Sequence, residues 1–74
     1  MKVSIKLRWD DEAAVWIATS SDVPGLALES GSFDALIERL RIAVPELMKL
    51  NASASSELNL SYLTEREDRL PVYG

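Results

Sequence analysis

The chain contains no cysteine and no histidine. Without thiols there is no disulfide staple and no thiolate metal site. Without imidazole the commonest general base and metal ligand are missing as well. No long apolar run follows the Met-Lys start, so neither a secretory signal nor a membrane span is expected, and the expected compartment is the cytoplasm. Basic residues are outnumbered, 8 Lys and Arg against 12 Asp and Glu, for a net charge of −4. That balance removes a general attraction to phosphate and favours a basic protein partner.

What is present fits one small domain. The 74 residues are 47% hydrophobic and 27% charged, the balance of an ordinary globular protein. A domain of this size buries only about 60% of the surface its unfolded chain exposes. Association with copies of itself or with a partner is the expected source of further burial.

The clearest local signal is the stretch Trp16-Ile17-Ala18-Thr19-Ser20-Ser21-Asp22-Val23-Pro24-Gly25-Leu26. It reads as a strand, a tight turn and the start of a second strand. Pro24 suits the second position of a type II turn, and Gly25 supplies the positive φ required at the third. Before it, Val3, Ile5, Leu7 and Trp9 alternate with Lys2, Ser4, Lys6 and Arg8, giving a first strand with one apolar and one basic face. Asp10, Asp11 and Glu12 form an acidic turn. Placing Leu7 opposite Val15 and Ile5 opposite Ile17 predicts a three-residue loop and puts Lys6 across from Trp16.

Leu26 and Leu28 supply a third strand. Ser32 is a candidate helix N-cap, with Asp34 in the first turn. Phe33, Leu36, Ile37, Leu40, Val44, Leu47 and Met48 fall three and four apart as one apolar stripe. Pro45 lies within that run and predicts a kinked helix, or two short helices with Pro45 opening the second. Asn51 ends the helix, and residues 52–56 are a small-residue loop. Leu58, Leu60 and Tyr62 alternate with Asn59, Ser61 and Leu63 in a fourth strand. The expected fold is α+β, in the order β-β-β-α-β, with the helix on one face of a four-stranded sheet. The fourth strand is expected beside the first, leaving the third and fourth as edges. Residues 1–64 form this domain, and residues 65–74 a charged tail with an apolar end.

The aromatic Trp16, the Asp22-Val23-Pro24-Gly25-Leu26 turn, the Ser32-Phe33-Asp34-Ala35-Leu36 helix start and Val44-Pro45-Glu46-Leu47 resemble the HicB family over residues 2–63. The similarity is greatest to its short stand-alone domains of unknown function. The resemblance implies a degenerate ribonuclease H-like sheet acting as an antitoxin. Such an antitoxin binds HicA, a small basic ribonuclease, and covers its active site. Longer HicB proteins carry a C-terminal DNA-binding segment that has no counterpart here, so direct DNA binding is not expected.

Ribonuclease H chemistry would want carboxylates from the first strand, the helix and the fourth strand around two ions. Asp10 and Glu38 are conceivable members, but residues 58–63 contain no acid. The reading is therefore a non-enzymatic domain without catalytic, metal or cofactor residues. Its candidate partner-binding residues are Trp16, Asp22, Val23, Pro24, Gly25 and Glu29. The expected partners are further copies of the chain, as a homodimer or higher homo-oligomer, and a HicA-like toxin. The alternative is an orphan homo-oligomeric module without a toxin. A small nucleic-acid platform of Lys2, Lys6, Arg8 and Trp16 is a third and weaker reading.

Overall fold

The computed structural model describes residues 1–51 and 57–73. The elements are β1 (Lys2–Asp10), β2 (Val15–Thr19), β3 (Leu28–Ser30), α1 (Phe33–Asn51) and β4 (Asn59–Glu65). They form a mixed four-stranded sheet in the order β3-β2-β1-β4, with α1 packed on one face. The fold is α+β, in the β-β-β-α-β order that the hydrophobic periodicities imply. β4 lies parallel to β1, and the small-residue loop expected at 52–56 lies outside the described residues.

The core is where period 2 meets period 3.6. Val3, Ile5, Leu7 and Ala18 from the sheet are buried against Leu36, Leu40, Val44 and Met48 of α1. Val23 and Leu26 close one end, and Phe33, Ile37, Leu47, Leu58, Leu60 and Tyr62 pack around the margin. Ser32 caps α1 as its position implies. Its Oγ accepts from the Ala35 amide at 3.2 Å, and its carbonyl accepts from Leu36 at 3.1 Å. α1 runs as one helix of 19 residues through Pro45, so the two-helix alternative is not the one taken. Its stripe buries enough apolar surface to outweigh the hydrogen bond that proline lacks.

The β1–β2 register departs from the expected one. Leu7 pairs with Ala18, Arg8 with Ile17 and Trp9 with Trp16, so the connecting turn has four residues, 11–14. Two features hold it. Asp10 Oδ1 accepts from the amides of Glu12 at 3.1 Å and Ala13 at 3.3 Å, and Ala14 sits at φ 54°. The pairing is shifted by three residues from the expected one, and any odd shift exchanges the faces of a strand. Trp16 and Ala18 therefore face the helix, while Val15, Ile17 and Thr19 face away from it beside Lys6 and Arg8. Lys6 does not lie across Trp16.

Candidate interaction surface

Four neighbouring regions carry the surface chemistry. The first is an aromatic cluster at the β1–β2 turn end of the sheet. Trp16 stands edge-on between Trp9 (ring centroids 5.4 Å apart) and Phe33 (5.0 Å). β1 and β2 bring the two indoles together as a cross-strand pair, and the first residue of α1 adds the phenyl ring. Trp9 Nε1 donates to Asp11 Oδ1 at 3.2 Å. The Arg66 guanidinium lies 4.2 Å from the Trp9 ring centre and 5.7 Å from that of Trp16, within cation–π range of both. Arg66 occupies the place expected for Lys6, and it follows directly on β4.

The second region is the turn at residues 20–26, at the other end of β1. Leu26 donates to the Val23 carbonyl at 3.2 Å and Gly25 has φ 84°, which fits the type II turn read from Pro-Gly. β2 pairs with β1 from Lys6 onward, and beyond it side chains take over the pairing. Asp22 Oδ2 accepts from the Ser4 amide at 2.8 Å, and Ser20 Oγ donates to the Ser4 carbonyl at 2.6 Å. Val23 is buried, whereas Pro24 and Gly25 are exposed.

The third region is the sheet face turned away from α1. Cross-strand pairing sets Glu29, Ile17, Arg8 and Glu65 in one row, and Thr19, Lys6 and Leu63 in the next. Lys6, Arg8, Ile17 and Thr19 line a shallow depression of about 190 Å³ on this face. Lys6 Nζ and Glu65 Oε2 stand 4.0 Å apart, both side chains more than half exposed. Such a pair adds little to stability. The face is thus basic along its central strand, acidic at its edges, and apolar at Ile17 and Leu63.

The fourth region is residues 66–73, which carry no regular element. Leu70, Val72 and Tyr73 are 77%, 95% and 88% exposed.

The six residues singled out from the sequence do not form one patch. Trp16 belongs to the aromatic end, Asp22, Val23, Pro24 and Gly25 to the far turn, and Glu29 to the edge row of the open face. The five residue steps of β1 from Ser4 to Trp9 span about 17 Å. Trp16 is half-buried by its aromatic neighbours rather than lying on the open face, and Val23 belongs to the core. Among the described residues no three acidic side chains come together as a metal site. No helix among them is long and apolar enough to cross a membrane.

The model of a family described as a domain of unknown function, DUF1902, matches residues 2–74. The chain belongs to the DUF1902 family. No curated protein matches this DUF1902 chain. Among solved structures it is similar to hypothetical protein TTHA1013 from the extremely thermophilic bacterium Thermus thermophilus. The two are 38% identical, with a TM-score of 0.73 over 97% of this chain and 100% of that one. The match reaches the end of the chain, so the segment after β4 falls within the DUF1902 unit.

Proposed function

We propose that this DUF1902 chain is a non-enzymatic protein-interaction domain acting as a HicB-like antitoxin. Its partner is a small basic ribonuclease of the HicA type, held so that the ribonuclease active site is covered. The observation that carries the interaction reading is the set of large apolar side chains left at the surface of β4 and the segment after it. Leu63, Leu70, Val72 and Tyr73 are all more than 60% exposed. The sheet also has edges at β3 and β4, available for pairing with another chain. An acidic net charge and exposed carboxylates at Asp22, Asp34 and Glu46 favour the approach of a basic protein. The HicB likeness of the turn and helix start supplies the toxin class.

The test is recovery of the tagged full chain from its native host, with every mass in the eluate read. A small basic protein in fixed ratio, lost when residues 22–25 are altered, supports the antitoxin. Recovery of the chain alone overturns it and leaves the second reading, a module that joins only copies of itself. That reading is favoured by the exposed apolar end of residues 66–73.

A further inference from the structure

Residues 67–73 form an arm that leaves the body of the molecule. The 19 residues of α1 account for about 28 Å and the nine of β1 for about 30 Å. The molecule nevertheless extends 58 × 19 × 18 Å, and its radius of gyration is 14.8 Å. About 11 Å is usual for a compact chain of this length. The excess of roughly 28 Å along one axis is taken up by Arg66 and the seven arm residues that follow it in extended conformation. Arg66, seated on Trp9 and Trp16, fixes the point of departure, beyond the β1–β2 turn.

We propose that this arm is received by the open sheet face of a second copy of the chain, and reciprocally, as an arm-exchanged dimer. In an extended segment alternate residues share a side, which sets Asp68, Leu70 and Val72 together. The open face offers the matching chemistry, Lys6 and Arg8 for the carboxylate, and Ile17 and Leu63 for the aliphatic side chains. Arg69, on the arm's other side, is free to meet the acidic edges at Glu29 or Glu65. Pro71 has no amide hydrogen to give to a sheet edge, and β3 offers only three residues as an edge partner. The arm therefore suits a face better than an edge. Its length is sufficient: seven residues reach about 23 Å, against about 14 Å between the outer strands of a four-stranded sheet. This inference rests on the interaction reading above but concerns a different surface from the acidic turn.

The experiment uses the full chain, whose lack of cysteine permits clean labelling. Two single variants, Ile17→Cys and Val72→Cys, are mixed under oxidising conditions and the masses read. Sedimentation equilibrium of the unmodified chain and of the Leu70→Asp, Val72→Asp double variant follows, with circular dichroism as a folding check. The arm-exchanged dimer predicts a disulfide joining one copy of each variant. It also predicts a native mass twice 8.2 kDa. The dissociation constant should rise at least about 100-fold in the arm variant. Arg8→Glu should weaken the dimer about 10-fold, and Asp68→Arg should restore it. A monomer at all concentrations tested, a dimer that ignores the arm substitutions, or a disulfide confined to one chain in an Ile17→Cys, Val72→Cys double variant would each overturn the proposal. A monomer that still captures a basic partner removes only the arm exchange. A dimer without a partner removes only the antitoxin.

Discussion

Ala14 sits at φ 54°, where an L-residue with a Cβ incurs about 1–2 kcal/mol of strain. Gly25 takes φ 84° at no such cost, and a Cβ there would meet only Leu47 Cδ2 at an ordinary 3.9 Å. The two positions make opposite predictions. Ala14→Gly should stabilise the chain by about 0.5–1 kcal/mol once the added freedom of the unfolded state is counted. Gly25→Ala should destabilise it by about 1 kcal/mol through the backbone alone. Urea denaturation of the pair measures both, and equal signs would contradict the turn geometry. Arg66 is a further single-residue case. Arg66→Ala should lower stability by no more than about 1 kcal/mol, as expected for a cation–π contact near the surface. It should, however, change tryptophan fluorescence, because the guanidinium lies over both indoles.

At the level of elements, Pro45 and Ser32 act on the same helix in opposite directions. Ser32→Ala removes the N-cap and should cost about 1 kcal/mol. Pro45→Ala restores the missing amide hydrogen at an exposed position and should raise stability by about 1–3 kcal/mol. Thermal melts followed by circular dichroism distinguish the two, and a Pro45→Ala melt below the parent would contradict an uninterrupted α1. Most element boundaries were legible because the alternating strands and the helical stripe bury the same side chains that define their periods. The β1–β2 register was not. Ala13 and Ala14 carry no turn signal, and a positive φ at alanine is set by the capping of the turn by Asp10 rather than by local preference. That three-residue shift, being odd, moved Trp16 to the helix face and Ile17 to the open one. The Arg66 contact was illegible for a related reason, since Trp9 and Trp16 become a single platform only in the observed register. Asp22 was legible as part of a turn, but its bond to Ser4 depends on β2 ending its pairing at Lys6.

The molecule as a whole is a small sheet-and-helix body with one face covered, one open, and an arm with exposed apolar side chains. A domain of 74 residues buries only about 60% of the surface its unfolded chain exposes, and among the described residues most of the exposed large apolar side chains come after Tyr62. Association is the outcome that buries them, which is why interaction is the account's central claim. Residues 22–25 lie at the other end of β1 from the point where the arm departs, so binding of a basic partner there and pairing of copies need not compete. The most direct measurement is messenger-RNA cleavage by a small basic ribonuclease of the HicA type from the native host, assayed with and without the full-length chain. The account predicts that cleavage stops at about one chain per toxin, as for a tight complex titrated above its dissociation constant. It further predicts that Asp22→Lys weakens this inhibition while the chain remains folded. Cleavage that continues at full rate in excess chain would contradict the antitoxin reading.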